Sequence, residues 1–370
     1  MKREIPRSAN LRKAAWALVV VLALGAAANG AIAGKIQHFK VPGASQIYPM
    51  AINSSGTVVG LCYGRGCRQG GDDEVFIRTD DGAITTFSIA GAPSIGASGI
   101  NDGGFIVGDF SYSADLNHGY LRNTDGTYVQ IDAPQSVSTQ PVGINDSGVI
   151  VGSYAVQNGS QYNWHGFIRA TDGTITTFDP PGAEQSWPSG INSSGVISGS
   201  YDNGKTKTRG YLRAQDGTYT TFVIKEGATG IYNMLPVNDR GEVAGTLEND
   251  SGYYGFLRTV DGKIRTIEVE GATDTFVSGI NDRGELVGDY VYYLGPYVEE
   301  AGFLRTREGA FKSLYAKNRD YYAYYTEPTC VNGHGAIAGY FGSFEKRSYQ
   351  GFIRTSGFHK APRKSARNTG

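Results

Sequence analysis

Hydrophobic and polar residues alternate over short stretches along almost the whole chain. One such region, residues 175–217, contains four runs rich in β-branched and aromatic residues, and each run is bounded by Gly, Pro, Asn or Asp. Runs of this kind are typical of β-strands, and the bounding residues are typical of turns. After the N-terminal leader, no segment has the i, i+3, i+4, i+7 apolar spacing of an amphipathic helix. The sequence therefore predicts an all-β fold.

The same unit recurs seven times. Each copy has an Asn that begins a tight turn and an Arg that ends a strand, and both series advance by 43 to 51 residues. This is the period of one four-stranded blade in a β-propeller. The asparagines are Asn53, Asn101, Asn145, Asn192, Asn238, Asn281 and Asn332, and the arginines are Arg78, Arg122, Arg169, Arg213, Arg258, Arg305 and Arg354. Residues 34–358 are thus predicted to form a seven-bladed β-propeller of four-stranded blades.

The two ends of the repeat region complement each other. Residues 36–44, IQHFKVPGA, match the last strand of a repeat, such as ITTFDPPGA at 175–183, whereas the seventh copy stops after Arg354 without such a strand. We therefore expect the N-terminal strand to complete the seventh blade. Closure of this kind leaves no open sheet edge for aggregation.

Two kinds of turn recur, and both are structural signals. Asn145-Asp146-Ser147-Gly148 has the residue order of a type I turn followed by a left-handed Gly, and Asp172-Gly173 suits a two-residue hairpin turn. In five copies an Asp follows the repeat Arg by three residues, as Asp172 follows Arg169. We expect these pairs to form charge-assisted hydrogen bonds across the turn, as parts of the scaffold.

Residues 1–33 have the features of a signal peptide. Five basic residues precede an apolar run at 14–28, and Ala31-Ile32-Ala33 fits the small-x-small pattern of a cleavage site. Retention as an anchor is the alternative, although the apolar run is shorter than the roughly 20 residues of a spanning helix. We expect a secreted or periplasmic protein with no membrane span after cleavage.

Cysteine spacing agrees with an oxidising compartment. Cys62 and Cys67 are candidates for a disulfide, which would leave Cys330 unpaired; the alternative is that all three are small buried residues. A four-residue spacer without a second cysteine pair or a nearby His does not make a zinc site, and no loop has the alternating acidic ligands of a calcium loop. We expect neither a metal nor a cofactor.

The charge of the chain is unevenly distributed. The formal net charge is −1, but the leader and the residues after Phe358 are basic, so the repeat region is acidic. An acidic propeller is a poor nucleic-acid binder, and we expect no nucleic-acid partner. Residues 359–370, HKAPRKSARNTG, are predicted to be a disordered basic tail.

Two strings in the third repeat resemble a known family. GINDSGVIVG at 143–152 and HGFIR at 165–169 are similar to bacterial extracellular repeat proteins of the HAF type, whose repeats carry Gly-Ile-Asn-Asp-x-Gly-x-Val-Val-Gly followed by His-Ala-Phe. The likeness covers nearly all of the chain after the leader. This chain has Gly in place of that Ala, keeps the His only at His118 and His165, and ends the motif with Arg where the family often has Trp. The resemblance implies an exported, propeller-like repeat protein without established activity or catalytic residues.

The connections between predicted strands divide between two faces of the ring. We call the face with the short Asn and Asp-Gly turns the turn face, and the opposite one the irregular face. The irregular face carries the second-to-third and outer-to-inner connections, including 62–74, 111–118, 155–164, 291–300, 315–327 and 341–350. Variable loops on a rigid scaffold are typical of binding surfaces, so we expect any ligand there.

Aromatic residues are concentrated in these loops. Aromatic faces beside amide and carboxylate groups suit sugar rings and protein partners equally; the alternative is that Tyr fills space between blades with its hydroxyl in water. The residue five before each repeat Asn is expected where the inner strand opens onto the irregular face. The ligand-binding candidates from both sets are Tyr48, Gln140, Trp187, Asn233, Phe276, Glu327, Trp164, Tyr322 and Tyr324.

The sequence contains no nucleophile elbow, no His-Glu-x-x-His and no phosphate-binding glycine loop. A propeller glycosidase needs two carboxylates at one cavity, but Glu327 is the only acidic residue among the positions five before Asn. Asp109 and Asp289 fall in the second and sixth blades, and we expect them to be too far apart to act together. No catalytic residue is assigned.

Three functions remain open. The leading hypothesis is an exported, monomeric binding module for glycan or another extracellular macromolecule, such as a protein, on the irregular face. A carbohydrate-active hydrolase or lyase that uses Glu327 with a neighbouring Tyr is the alternative. The third is a mainly structural envelope protein.

Overall fold

The structure is a computed structural model that describes residues 34–67, 73–113, 116–205, 209–224, 228–294, 297–316, 325–343 and 348–355. The predicted signal peptide at 1–33 and the predicted tail at 359–370 lie outside these residues. The search of the described residues for an apolar helix long enough to cross a membrane finds none.

Seven antiparallel sheets, one for each repeat, form a ring, and this confirms the predicted all-β, seven-bladed propeller. In each sheet the strands lie in the order inner, second, third and outer. The inner strands are β2 (Gln46–Ile52), β6 (Ser94–Ile95) with β7 (Gly99–Ile100), β11 (Ser138–Ile144), β15 (Gln185–Ile191), β19 (Gly230–Met234), β23 (Asp274–Ile280) and β27 (Tyr325–Val331). The second strands are β3 (Val58–Tyr63), β8 (Ile106–Ser113), β12 (Ile150–Asn158), β16 (Ile197–Asp202), β20 (Val243–Asn249), β24 (Leu286–Leu294) and β28 (Ile337–Ser343).

The third and outer strands complete each blade away from the axis. The third strands are β4 (Glu74–Arg78), β9 (Leu116–Arg122), β13 (Gln161–Arg169), β17 (Arg209–Arg213), β21 (Gly252–Arg258), β25 (Tyr297–Arg305) and β29 (Ser348–Thr355). The outer strands are β5 (Ile84–Phe87), β10 (Tyr128–Ile131), β14 (Ile175–Phe178), β18 (Tyr219–Val223), β22 (Ile264–Ile267), β26 (Phe311–Leu314) and β1 (Lys35–Phe39). The helical segment among the described residues is a 3-10 turn at Arg65–Cys67.

The outer strand of the seventh blade is β1, from the N-terminal end of the repeat region. It pairs antiparallel with β29, with Lys35 opposite Thr355 and Phe39 opposite Gly351. Phe39 also packs with Ile47 and Val58 of the first blade in one buried cluster. Both chain ends of the repeat region are therefore joined by sheet hydrogen bonds and by a shared core.

Buried apolar side chains fill the spaces between neighbouring blades. Val59 and Val75 of the first blade pack with Phe110 and Tyr120 of the second, and the same arrangement recurs around the ring. Because strand side chains alternate, each blade supplies one apolar face to each neighbour. The hydrophobic core is therefore a series of interblade layers.

The repeat asparagines form a closed ring of hydrogen bonds on the turn face. The side-chain oxygen of Asn145 accepts the N–H of Val149 at 3.0 Å, which fixes its own turn, and Gly148 has φ +83°. Its side-chain N–H donates to the backbone carbonyl of Asn192 in the next blade at 3.2 Å. The other six asparagines donate in the same way at 2.8 to 3.2 Å. These residues are structural.

The repeat arginines hold blades together in a way that differs from the expected bond to Asp. The guanidinium of Arg122 lies 4.7 Å from the ring centroid of Phe87 in the preceding blade and donates to the carbonyl of Asn123. Asp125 instead accepts the N–H and hydroxyl of Thr127 at 2.9 and 2.7 Å. Arg78, Arg213 and Arg258 stack in the same way on Phe39, Phe178 and Phe222. The expectation was wrong because the short turn satisfies its Asp locally.

Several regions predicted as loops are in part continuations of strands, including 111–118 and 341–350 and, over the greatest length, 155–164 and 291–300. Within 155–164, Val156 pairs with Asn163 and Gln157 with Tyr162, and within 291–300, Tyr292 pairs with Glu299. The β-branched and aromatic residues in these stretches extend both hairpins beyond the other blades. The irregular face is therefore made partly of projecting hairpins.

Candidate functional site

The residues five before each repeat Asn lie at one level of the ring, where the inner strands approach the irregular face. In six blades this residue pairs with an equivalent residue of the second strand: Tyr48 with Leu61, Gln140 with Ser153, Trp187 with Ser200, Asn233 with Thr246, Phe276 with Asp289 and Glu327 with Tyr340. In the second blade, the N–H of Gly96 donates to the carbonyl of Asp109 at 2.7 Å. The shared register follows from the constant spacing to the Asn turn.

Three acidic side chains from two adjacent blades come together around Glu327. The hydroxyl of Tyr340 donates to Glu327 Oε2. The carboxyl groups of Glu327 and Glu300 are hydrogen-bonded to each other, and Asp289 interacts electrostatically with both. We call Asp289, Glu300 and Glu327 the carboxyl cluster. Sequence analysis identified Glu327 as the only acidic residue five positions before a repeat Asn, and it did not identify Glu300 as its neighbour.

The carboxyl cluster retains protons at neutral pH. Burial, together with the charges of Glu327 and Asp289, raises the pKa of Glu300 to about 9. Burial also raises the pKa of Glu327, and burial beside Glu327 raises the pKa of Asp289 well above its usual range. Like charges held in a poorly solvated site cannot all ionise together. The cluster therefore offers both hydrogen-bond donors and acceptors near pH 7.

Tyrosine rings surround one side of the carboxyl cluster. The ring of Tyr48 meets Tyr340 edge-on at 5.0 Å and Tyr349 at 5.6 Å, and Tyr325 meets Tyr340 at 6.0 Å. With Tyr63, these residues form a tyrosine cluster across the seventh and first blades. Burial beside Tyr349 and Tyr63 raises the pKa of Tyr48 to about 12, so its hydroxyl is neutral.

A second aromatic group lies on the other side of the carboxyl cluster. Tyr232, Tyr253 and Phe276 pack with ring centroids 5.0 to 5.7 Å apart, across the fifth and sixth blades. The pairing of β19 with β20 shifts by one residue between Ile231 and Asn233, and this bulge leaves Tyr232 unpaired. As expected for a bulged residue, Tyr232 projects outward and is 60% exposed. We call these three residues the aromatic triad.

A third feature is a small cleft between the second and third blades. It has a volume of about 130 Å³ and is lined by Asn117, Val137, Ser138, Gln140, Ala155, Tyr162 and Trp164. Gln140 and Trp164, two of the sequence-predicted candidates, therefore face one cavity. Its lining contains amide, hydroxyl and aromatic groups and no charged side chain.

The remaining candidates lie elsewhere. Asn233 uses its side-chain amide within the fold, since it donates to the carbonyl of Val277 at 3.1 Å and accepts the N–H of Thr246 at 2.7 Å. Trp187 lies half-buried on the inner strand of the fourth blade. Tyr322 and Tyr324 lie outside the described residues. Cys62 and Cys67 form a disulfide with Cα atoms 5.7 Å apart, and Cys330 is a free thiol.

Sequence reasoning missed Glu300, Tyr340 and Tyr349. Glu300 and Tyr349 both stand two residues before the Gly of the Gly-aromatic-aliphatic-Arg motif, at Gly302 and Gly351. Because strand side chains alternate, this position shares a face with that Gly and lies one step nearer the irregular face. The equivalent residues in other blades include Asn117, Trp164 and Tyr253. Counting back from the motif Gly would have found this second ring of residues.

The turn face has a cavity of its own at the centre of the ring, with a volume of about 610 Å³. Residues from all seven blades line it, including six of the seven repeat asparagines. Its rim carboxylates take part in the scaffold: Asp146 accepts the N–H of Asp102 at 2.8 Å, and Asp282 accepts the N–H of Asp239 at 2.7 Å. In the described part of the chain, no three His, Cys, Asp or Glu residues are placed to hold a metal ion.

Comparison with known proteins identifies structures with a similar fold, but it does not assign the chain to a family. No family model matches the sequence, and no curated protein matches it. Among solved structures, a mutant puromycin hydrolase complexed with PGG aligns with a TM-score of 0.54 at 12% identity, over 88% of this chain and 56% of that one. The chain thus spans little more than half of that hydrolase.

An oligogalacturonate lyase in complex with manganese also aligns with a TM-score of 0.54, at 10% identity. This alignment covers 87% of the present chain and 97% of the lyase, so the two are similar in extent. At such low identities, these likenesses show the propeller fold alone. The matched structures include enzymes, but a similar fold does not show that this chain has their activity.

Proposed function

We propose that this chain is an exported binding module that recognises glycan through its irregular face. The observation that carries the proposal is the aromatic triad, in which a bulge projects Tyr232 outward beside Tyr253 and Phe276. Exposed aromatic residues that form one contiguous patch mark interaction sites more often than single exposed rings do, and the faces of aromatic rings stack on the C–H groups of sugars. Tyr112, Tyr162 and Tyr293 are also more than 45% exposed on this face.

The carboxyl cluster supports the same ligand class. Protonated carboxyl groups beside ionised ones donate and accept hydrogen bonds, as sugar hydroxyls require. The aromatic triad and the tyrosine cluster lie on either side of it, from the fifth blade to the first. A neutral chain of sugar rings laid along this arc would meet aromatic rings, carboxyl groups and aromatic rings in succession.

The test is retention of the chain on immobilised polysaccharides and cell-wall fractions. Tyr232→Ala is expected to weaken binding at least about ten-fold, as the loss of a central aromatic contact does. Tyr128→Ala is the matched control, because Tyr128 is 46% exposed but lies on outer strand β10. Absence of retention of the wild type, or equal loss in both variants, would overturn the proposal.

A specific observation favours a second candidate, a carbohydrate-active hydrolase or lyase. Glu300 and Glu327 share a hydrogen bond and Tyr340 donates to Glu327, so a proton-accepting and a proton-donating group lie side by side. Such a pair could remove a proton from a sugar carbon and deliver one to the departing glycosidic oxygen. The oligogalacturonate lyase shares the fold, which is compatible with this candidate.

The enzyme candidate is tested by release of reducing ends or unsaturated sugars from a polysaccharide panel. Glu327→Gln is expected to abolish release, while Asp109→Asn leaves it unchanged. Asp109 is the matched control because it holds the position of Asp289 in another blade, and burial raises its pKa to about 6. No release by the wild type rejects this candidate and leaves the binding proposal standing.

A further inference from the structure

The cleft between the second and third blades lies well away from the carboxyl cluster, which belongs to the sixth and seventh blades. We infer that this cleft is a separate site for the edge of one neutral sugar ring, held by Gln140, Asn117 and Trp164. The inference rests on the proposed function for the class of ligand, and it assigns a second place on the irregular face where that ligand binds.

The sheet of the third blade builds the floor and one wall of the cleft. Ala155 of β12 pairs with Ser138 on one side and with Trp164 on the other, so these three form one row across the sheet. Gln140 and Tyr162 lie two residues from Ser138 and Trp164 and therefore point to the same side of their strands. The small side chain of Ala155 leaves room that the equivalent Tyr63 and Val291 would fill.

Three polar side chains of the cleft have no hydrogen-bond partner within the described part of the chain. The side chains of Asn117, Gln140 and Tyr162 make no hydrogen bond to another described residue, whereas Asn233, at the level of Gln140, makes two. Amides that could bond within the fold but remain free at a cavity are available to a ligand. Two amides and a phenol provide donors and acceptors in the mixture that adjacent sugar hydroxyls need.

The size of the cleft and the absence of charge in its lining restrict the kind of ligand that it can bind. The volume of about 130 Å³ corresponds to the share of about four waters in the liquid, well below the roughly 300 Å³ of the smallest drug-sized pockets. An oligosaccharide does not fit inside, but the edge of one ring does, with its apolar face against an aromatic residue. No charged residue lines the cleft, so a neutral ring is favoured over a uronic acid or an amino sugar.

The experiment is an NMR titration of the full chain with methyl glycosides of common neutral hexoses and with N-acetylglucosamine. The indole N–H signal of Trp164, assigned through Trp164→Phe, is expected to shift, while that of Trp187 stays in place. Gln140→Leu is expected to weaken binding about ten-fold. Ala155→Val narrows the cleft with a residue that the sixth blade already carries there, so this variant should fold and fail to bind.

A separate variant distinguishes this inference from the proposed function. Tyr232→Ala removes the ring that the proposed function depends on and should leave the titration at Trp164 unchanged. If the wild type is retained on polysaccharide but no sugar shifts the Trp164 signal at its highest soluble concentration, the proposed function stands and the cleft inference is overturned. Equal shifts in wild type and Ala155→Val would also overturn it.

Discussion

The side-chain amide of Asn332 donates a hydrogen bond to the backbone carbonyl of Asn53 at 2.8 Å, although 279 positions separate the two residues in the chain. It is the member of the asparagine ring that connects the last blade to the first. Each ring bond is buried and lies beside a turn that the same Asn stabilises. The ring therefore couples local turn geometry to closure of the whole propeller.

Asn332→Ala should destabilise the fold by about 1–3 kcal/mol, because it leaves the carbonyl of Asn53 and the N–H of Ala336 without their buried partners. Urea denaturation followed by circular dichroism measures this change. Asn123→Ala is the control, since among the described residues the side-chain amide of Asn123 bonds only to the exposed Thr127 hydroxyl. If both variants are destabilised by the same amount, the buried hydrogen bond of the ring contributes no more to stability than the exposed bond of Asn123.

The free energy of unfolding should fall as the pH rises from about 5 to about 9, because the folded carboxyl cluster holds protons that the unfolded chain has released. The ordinary pKa of Glu300 is 4.5 and its folded pKa is about 9, so the folded state holds more protons between these values. The free energy of unfolding therefore decreases with rising pH in this window. Glu300→Gln should be more stable than the wild type by at least about 1 kcal/mol near pH 8 and equal to it near pH 4.

The control for the pH experiment is Glu308→Gln. Glu308 is exposed, and its own backbone and Thr306 lower its pKa, so this variant should not be more stable at high pH. A pH profile that Glu300→Gln leaves unchanged would show that the carboxyl cluster is already ionised in the folded state.

Arg122 and Phe87 should show a favourable coupling energy of about 0.5–1 kcal/mol, because the guanidinium lies over a ring of the neighbouring blade. A double-mutant cycle with Arg122→Gln and Phe87→Leu measures it. A control cycle combines Arg122→Gln with Phe178→Leu. Phe178 stacks with Arg213 and not with Arg122, so the two losses should be additive. If the losses in the first cycle are also additive, the Arg122 guanidinium and the Phe87 ring do not stabilise each other.

The three cysteines should differ in reactivity. Without reductant, the folded chain should react only slowly with thiol reagents, because Cys62 and Cys67 are disulfide-bonded and burial raises the pKa of Cys330 to about 12. Denaturant alone should expose one thiol, and denaturant with reductant should expose three, as counted by mass spectrometry. Opening the short disulfide loop should cost about 2 kcal/mol. Rapid labelling of the folded chain would contradict this assignment.

The fold could be predicted from the sequence because the residues that determine its turns lie close together in the chain and recur at one period. Asn145 and Gly148 fix a turn within four residues, and seven such turns at one period are sufficient to predict blades. The partners of Arg169 and its equivalents were not readable. For Arg78, Arg122, Arg213 and Arg258 the neighbouring blade supplies the aromatic ring, and this information lies about one repeat away in the chain.

The candidate site was readable only in part. Counting five residues back from Asn332 located Glu327, because strand β27 leads directly into the Asn332 turn and the spacing along it is the same as in the other blades. Glu300 comes from the preceding blade, and its approach to Glu327 depends on how two sheets pack. The bulge that exposes Tyr232 has no turn signal in the sequence. Contacts between repeats were therefore the part that required the structure.

The pairing of Lys35 with Thr355 has a practical consequence for experiments on this chain. Strand β1 begins, and strand β29 ends, on the turn face, opposite the aromatic triad and the cleft. An affinity tag, a surface linker or a fluorescent label joined directly at Lys35 or at Thr355 would therefore be attached on the far side of the ring. Immobilisation through either end would display the irregular face to solution, with all of its candidate contacts accessible.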